Sequence, residues 1–141
     1  ATNSHSSMLP QVLCAEFFKR GYYPAHHKML CDLYRERRDA MLECIDKYFP
    51  AGTKHSFPDG GLFTWVELPG DIDTAELLKE ATSDPEVNVA FVAGEGFFVG
   101  RTGRGRNCMR MSFGNNPPEK IREGVMKLGK LIEKKLNQQS K

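Results

Sequence analysis

The chain contains no long hydrophobic run. Its apolar stretches all fall short of the ~20 residues that a membrane-spanning helix needs, and no signal peptide is visible. The formal net charge is only +2 at pH 7. This charge is too small to indicate a nucleic acid or a membrane surface as the partner of the protein.

Cysteine is scarce and is not arranged for a metal site or a disulfide framework. The four cysteines, Cys14, Cys31, Cys44 and Cys108, are irregularly spaced, and no pair forms a Cys-x-x-Cys motif. Such spacing argues against a zinc site and against a small disulfide-bonded secreted domain. We therefore expect reduced thiols, a cytoplasmic location and no bound metal.

Nucleotide-binding motifs, internal repeats and low-complexity segments are also missing. The glycine-rich residues 94–100 match neither G-x-G-x-x-G nor a P-loop with its Lys-Ser/Thr. The composition, with 40% hydrophobic and 27% charged residues in a chain of 141, is typical of one globular domain. Because the chain begins at Ala1 without a Met, we expect a processed product, a cloned segment or part of a longer polypeptide.

Apolar periodicity and turn residues predict four helices and three strands. The predicted helices cover residues 7–19, 24–49, 74–82 and 117–133, and the predicted strands cover residues 62–68, 87–92 and 108–113. This order indicates an α+β fold in which helices cover a small, mainly antiparallel sheet. The second helix is long for a globular protein, so we interpret it as an interdomain helix.

Polar residues set the expected helix ends and surfaces. Asp73 is predicted to cap the third helix, and Asn116 to cap the fourth, with Pro117 at its first helical position. The charged cluster on the long helix is interpreted as a solvated face rather than a binding patch. That cluster consists of Arg35, Arg37, Arg38 and Asp39. The aromatic residues Phe63, Trp65 and Phe97 are interpreted as core more readily than as pocket wall.

Arg110 is a lone cation in an otherwise apolar strand. Strand alternation places Met109, Met111 and Phe113 on one face and Cys108, Arg110 and Ser112 on the other. A guanidinium keeps its charge, and burying it without a partner is costly, so it requires an anion. The anion is either a protein carboxylate, with Glu67 or Asp71 as the candidates, or a ligand.

The order and spacing of several motifs together resemble one family. The motifs are residues 1–11, residues 58–65 (Pro-Asp-Gly-Gly-Leu-Phe-Thr-Trp), residues 89–97, residues 109–113 (Met-Arg-Met-Ser-Phe) and residues 121–125. They resemble the C-terminal small domain of a fold type I pyridoxal-phosphate aminotransferase of class I/II. Within it, the chain is most similar to the 2-aminoadipate/kynurenine aminotransferase group and to the aminotransferase-like half of MocR-type regulators.

The resemblance assigns roles to several residues. It implies that Arg110 binds the α-carboxylate of an amino acid and of a 2-oxo acid, and that the turn at Gly60 and Gly61 approaches the substrate. It places Asn3, Ser4 and His5 near the interface of a homodimer, as candidates for contacting the cofactor of the neighbouring subunit. A capping and linker role for these three residues is an equal alternative.

The resemblance also implies what this chain does not supply. In the family, the Schiff-base lysine, the aspartate under the pyridine nitrogen and the phosphate cup belong to the large domain. Residues 1–21 would be the end of that domain and its connecting helix, and residues 22–141 the small domain. No Ser-x-x-Lys segment is present, which predicts a fragment of a pyridoxal-phosphate aminotransferase that is inactive alone.

Two other functions remain open from the sequence. The first is a ligand-sensing domain of a MocR-type transcription regulator, and the second is a non-catalytic α+β interaction module. The basic loop with Arg101, Arg104 and Arg106 is expected to be a solvated surface loop rather than a contact to an acidic substrate side chain. Exposed apolar surface is expected on the first two helices, because the main dimer interface of the family lies in the large domain.

Overall fold

The fold is known from a computed structural model that describes residues 7–100 and 103–139. The helices are α1 (Met8–Lys19), α2 (Tyr23–Tyr48), α3 (Thr74–Ser83) and α4 (Pro118–Gln139). The strands are β1 (Lys54–His55), β2 (Phe63–Glu67), β3 (Val92–Ala93) and β4 (Cys108–Ser112), and a 3-10 turn covers Gly94–Phe97. No helix of this described part is long and apolar enough to cross a membrane.

The strands form one antiparallel sheet in the order β1-β2-β4-β3. Strand β4 therefore lies between two partners, with Trp65 of β2 and Val92 of β3 both opposite Arg110. This arrangement confirms the predicted α+β fold with a small antiparallel sheet. Its physical basis is the alternating direction of side chains along a strand, which places Thr64 and Val66 of β2 with Met109 and Met111 of β4 on the buried face that the helices cover.

The core joins that face of the sheet to three helices. Its members include Ile45 of α2, Val66 of β2, Leu77 of α3, Met109 and Met111 of β4, Phe113, and Leu128 and Ile132 of α4. Each is nearly or fully buried, and full burial of such a side chain stabilises the fold by roughly 1.5–3 kcal/mol. The predicted split of β4 into a buried apolar face and a face carrying Arg110 is thereby confirmed.

The chain forms two compact units, residues 1–33 and residues 34–141, and α2 continues from the first unit into the second. All of its buried residues, such as Met41 and Ile45, belong to the second unit. In the first unit, α1 has no buried residue. The predicted boundary after residue 21 refers to the domains of a longer protein and stays a prediction.

The expected exposed apolar surface is present on the first unit. The exposed large hydrophobic side chains of residues 7–33 are Met8, Leu9, Val12, Leu13, Phe18, Tyr22, Tyr23 and Met29, with relative exposures between 43% and 76%. Aromatic contacts link the end of α1 to the start of α2: the Phe17 ring lies 5.9 Å from the ring of Tyr22, and the Phe18 ring 4.8 Å from that of Tyr23.

The strand predicted at residues 87–92 is wrong for most of its length. Only Val92–Ala93 pairs with β4. The N–H groups of Val87 and Asn88 donate to the carbonyl of Asp84, and the N–H of Val89 donates to the carbonyl of Ala81. Asn88 also has a positive φ of 46°. A turn at the end of α3 therefore uses the backbone groups that a strand would need, despite the β-branched residues.

Other boundaries also differ from the sequence prediction, and α4 continues to Gln139 rather than ending at residue 133. Strand β1 lies within the segment expected to be a loop, and its two residues pair with Glu67 and Val66; a strand this short has no readable alternation. Helix α4 begins at Pro118 rather than Pro117, since the carbonyl of Pro117 accepts the hydrogen bond from Ile121. The N-cap is therefore Pro117 and not Asn116.

The predicted cap of α3 is confirmed. Asp73 Oδ1 accepts hydrogen bonds from the N–H groups of Ala75 and Glu76, at 2.8 and 3.3 Å. Its other oxygen, Oδ2, lies 2.8 Å from Nη2 of Arg106. The hydrogen bond from Arg106 holds the pKa of the Asp73 carboxyl below its ordinary value of 3.8, and the two backbone N–H groups lower this pKa further.

Helices α2 and α4 meet at a point where only glycine fits. A Cβ added at Gly129 would lie 2.5 Å from the carbonyl oxygen of Tyr48. We expect Gly129→Ala to lower the free energy of unfolding by roughly 1–3 kcal/mol through overpacking, although alanine favours a helix over glycine by ~1 kcal/mol. Urea unfolding measures this change. The control is Lys130→Ala at the neighbouring exposed position, and stabilisation by Gly129→Ala would contradict the close contact.

The Asp73–Arg106 pair makes stability depend on pH. A lowered native-state pKa stabilises the fold above the unfolded-state value near 3.8, and this contribution is lost as the pH falls through the native-state pKa. Asp73→Asn keeps an N-cap residue but removes the charge. We expect the variant to be less stable than the wild type at pH 7, with a difference that is smaller at about pH 2, below the unfolded-state pKa.

Urea unfolding at both pH values, with Glu133→Gln on exposed α4 surface as the control, measures this difference. A gap between wild type and Asp73→Asn that stays constant with pH would show that the ion pair contributes nothing.

Candidate functional site

The candidate site is centred on Arg110, which projects from β4 on the sheet face opposite the core. The residue is half-buried. Two phenyl rings contact its guanidinium: the Cζ atom lies 4.2 Å from the ring centroid of Phe63 and 4.9 Å from that of Phe97. Phe63 belongs to β2 and Phe97 follows β3, so the two rings reach Arg110 from opposite sides of β4.

Arg110 has no protein counter-ion among residues 7–100 and 103–139. No described carboxylate lies within ion-pair distance, and Nε is buried without a hydrogen-bond partner. The ion pair with Glu67 or Asp71, which the sequence left open, is therefore not formed. A buried guanidinium nitrogen without an acceptor is costly, so this position is suited to an anion that comes from outside the described chain.

Phe63 and Phe97 are not core residues. Their exposures are 44% and 48%, so the interpretation of these two rings as core is wrong. The register explains Phe63, because residues directly opposite each other in an antiparallel pair point to the same face. Phe63 lies opposite Ser112 and Trp65 opposite Arg110, so both point away from the core.

A close backbone approach places Phe97. A Cβ at Gly94 would lie 2.6 Å from both the Cβ and the carbonyl oxygen of Cys108, so the 3-10 turn begins in direct contact with β4. Phe97 ends this turn and packs edge-to-face against Trp65, with ring centroids 5.4 Å apart. Trp65 also contacts Phe98 at 6.2 Å. The site is thus a group of aromatic rings around one cation.

The turn at Gly60 and Gly61 lies at the end of β2 that adjoins the end of β4. The next residue, Leu62, accepts a hydrogen bond from the N–H of Phe113 at 3.0 Å. Gly61 has a φ of +80°, and a Cβ on either glycine would meet nothing within 4 Å. The turn is therefore open toward the surface, as a segment that approaches a ligand would be.

Arg38 binds the segment that leads into this turn, a role that the sequence did not reveal. Its Nη1 donates to the carbonyl of Pro58 at 3.1 Å, its Nη2 pairs with Asp39 at 2.7 Å, and its Cζ lies 4.6 Å from the ring centroid of Phe57. Arg37 donates to the carbonyl of Gly114, just after β4. The prediction of a solvated helix face is wrong for these two residues. Arg37 contacts a loop 77 residues away in sequence, and Arg38 contacts a loop 20 residues away.

The described arginines of the basic loop, Arg104 and Arg106, are exposed, as predicted. Arg106 pairs with Asp73, and its carbonyl accepts a hydrogen bond from the N–H of Thr74 at 2.8 Å. Arg104 is exposed and lies over the Phe98 ring, with Cζ 5.4 Å from the centroid. Arg101 lies outside the described residues. The candidates Asn3, Ser4 and His5 also lie outside them, and their proposed roles stay predictions.

No family model matches the chain. Among proteins with assigned names, it is 38% identical over 126 residues to aromatic-amino-acid aminotransferase 1 of Thermococcus litoralis, covering 89% of this chain and 29% of that protein. It is 36% identical to 2-aminoadipate transaminase of Thermus thermophilus, covering 92% of this chain and 31% of that protein. The chain therefore spans about a third of the length of these relatives.

A solved structure shows the same similarity. The α-aminoadipate aminotransferase of Thermus thermophilus, complexed with N-(5'-phosphopyridoxyl)-L-leucine, superposes with a TM-score of 0.81 at 35% identity. The match covers 94% of this chain and 33% of that one. An HTH-type transcriptional regulator of Escherichia coli is also similar, at 27% identity. By sequence and by structure, this chain is a relative of the fold type I, pyridoxal-phosphate-dependent aminotransferases, and the part of them that it matches is the small domain.

Proposed function

We propose that this chain is the small domain of a longer aminotransferase, in which Arg110 binds the α-carboxylate of the substrate. The observation that carries this proposal is the state of the Arg110 guanidinium. It is half-buried at the sheet surface, has an orphaned Nε and lacks a protein counter-ion among the described residues. The similarity to aminotransferases adds a reaction in which a carboxylate is present on every substrate.

Arginine suits this role for a geometric reason. A guanidinium presents donors in a planar fork that matches the two oxygens of a carboxylate, and a pair of parallel hydrogen bonds fixes orientation as well as position. The α-amino acid and the 2-oxo acid of a transamination share the carboxylate and differ at the neighbouring carbon. One rigid arginine on β4 can therefore bind both substrates in the same orientation.

We propose that the described residues do not hold pyridoxal phosphate by themselves. Lys127 donates a hydrogen bond to Glu123 that raises the pKa of Lys127, the opposite of what a lysine nucleophile needs. When bound, the cofactor supplies the electron sink for the reaction. We propose that the rest of the longer protein holds it, including the Schiff-base lysine.

The proposal extends to substrate and assembly. The names of the relatives point to aromatic and dicarboxylic α-amino acids as amino donors. The exposed apolar side chains of the first unit fit a role as the end of a large domain, with residues 1–21 belonging to that domain. We propose a homodimer, in which Asn3, Ser4 and His5 approach the cofactor of the neighbouring subunit.

A second candidate is a ligand-sensing domain of a transcription regulator. Two HTH-type regulators of Escherichia coli match at 27% and 28% identity, and the matches cover 94% and 96% of this chain. In such a protein Arg110 would bind the same carboxylate. Specific DNA binding by the longer polypeptide, changed by an amino acid, would favour this candidate over the enzyme.

The visible absorption spectrum tests whether pyridoxal phosphate is bound by this chain alone or requires the rest of the longer protein. We expect no absorption band from bound pyridoxal phosphate with the 141-residue chain. With the polypeptide extended upstream, we expect a band that an α-amino acid bleaches and a 2-oxo acid restores. The absence of a band from both proteins would remove the cofactor and leave an interaction module as the better function.

Arg110→Lys tests the assigned residue. Lysine keeps the charge but lacks the fork, so we expect the KM for both substrates of the extended enzyme to rise about tenfold to a hundredfold, since a hydrogen bond between charged groups contributes ~1.5–3 kcal/mol. The free energy of unfolding should change by less than ~1 kcal/mol.

The matched control is Arg104→Lys, because Arg104 also lies over a phenyl ring but is exposed. An unchanged KM in Arg110→Lys, or an equal rise in both variants, would contradict the assignment.

A further inference from the structure

We propose that Phe63 and Phe97 are positioning residues. Their rings hold the guanidinium of Arg110 in place, a role that a protein carboxylate would otherwise have. The inference rests on the proposed function, namely that Arg110 binds the substrate carboxylate. Two phenyl rings take the place of a counter-ion. The arginine is thereby fixed in place while its charge and its hydrogen-bonding edge stay available.

The geometry supports contacts on both sides of the strand. The ring centroids of Phe63 and Phe97 lie 4.2 and 4.9 Å from Cζ of Arg110, within the ~6 Å over which a ring attracts a cation. One ring comes from β2 and the other from the turn after β3, and both strands pair directly with β4. The side chain of Arg110 therefore has aromatic contacts from both of its neighbours in the sheet.

Rings and carboxylates use different parts of a guanidinium. A ring attracts the positive charge through its π-electrons, whereas a carboxylate accepts hydrogen bonds from N–H groups in the guanidinium plane. A protein carboxylate would occupy those N–H groups and neutralise the charge. Phenyl rings have no hydrogen-bond acceptor of that kind. They can restrain Arg110 without competing with a substrate.

Phe97 is itself held in place. Its ring packs edge-to-face on Trp65 at an interplanar angle of 87°, and Trp65 lies directly opposite Arg110 in the sheet. The close approach of Gly94 to Cys108 fixes the start of the turn that carries it. Phe97 is thus supported by β2 on one side and by β4 beneath its own turn.

Restraint of the Arg110 side chain by the two rings should raise its affinity for a carboxylate ligand. A free arginine side chain loses rotamer entropy when it is fixed. Ring contacts that already restrict it reduce what remains to be lost on binding, which is the principle of preorganisation. The partly exposed positions of both rings set the expected size of the effect at the lower end of the range for cation–π contacts.

The test uses NMR on the 141-residue chain. Aromatic ring currents shift the Nε–Hε resonance of Arg110. The backbone amide signals of β4 report titration with L-norleucine in every variant, including Arg110→Lys, which lacks that Nε–H group. Pentylamine, the same molecule without the carboxylate, is the control probe. The variants are Phe97→Leu, which removes the ring, and Phe97→Tyr, which keeps it. Phe57→Leu is the matched control, because Phe57 is an exposed ring over a different arginine, Arg38.

We expect Phe97→Leu to remove much of the ring-current shift of Arg110 and to weaken L-norleucine binding about two- to fivefold. Phe97→Tyr should restore both the shift and the affinity, and Phe57→Leu should change neither. Phe63→Leu should act in the same direction as Phe97→Leu. A purely structural role of Phe97 would instead lower the free energy of unfolding of the leucine variant without weakening L-norleucine binding by the folded protein.

The outcomes separate the two proposals. If Arg110→Lys abolishes L-norleucine binding while Phe97→Leu and Phe63→Leu leave the affinity unchanged, the positioning role is overturned and the carboxylate site stands. If Arg110→Lys binds L-norleucine as well as the wild type does, or pentylamine binds equally well, the carboxylate site fails. The positioning role then fails with it, whatever the ring-current shift shows.

Discussion

The two-sided pairing of β4 is the constraint on which the rest of the structure depends. Because β4 lies between β2 and β3, its backbone groups are bonded on both edges and its side chains can only point up or down. Met109 and Met111 point toward the core and are almost fully buried. Arg110 points to the opposite face of the sheet. A shift of one residue in register would exchange the two sets, so the burial of the methionines and the placement of Arg110 on the opposite face have the same cause.

Arginines also connect the segments around the site. Arg37 and Arg38 occupy consecutive positions of α2. They donate hydrogen bonds to the carbonyls of Gly114 and Pro58, respectively, which lie in different loops. Arg106 connects its loop to the cap of α3. A guanidinium has five N–H donors on a long stem, so one residue can satisfy loop carbonyls that have no partner in a sheet or helix. The loops beside β2 and β4 are held in this way.

Aromatic residues occupy the polar face of the sheet for a related reason. Phe63, Trp65 and Phe97 surround a charge rather than fill the core. Phe63 and Phe97 are partly exposed and both contact Arg110. Under the proposed function this arrangement has a use, since a restrained guanidinium without a counter-ion is well suited to bind a carboxylate.

The sequence by itself determined the helices, the two longer strands, the cap at Asp73 and the orientation of Arg110. These follow from local periodicity and from side chains that bond their own backbone, so they need no distant partner. Local hydrogen bonds at the end of α3, donated by the N–H groups of Val87, Asn88 and Val89, form a turn where the β-branched residues had predicted a strand. Only the tertiary structure decided which side chains surround Arg110, because partners such as Phe63 and Phe97 are brought together by strand pairing between segments distant in sequence.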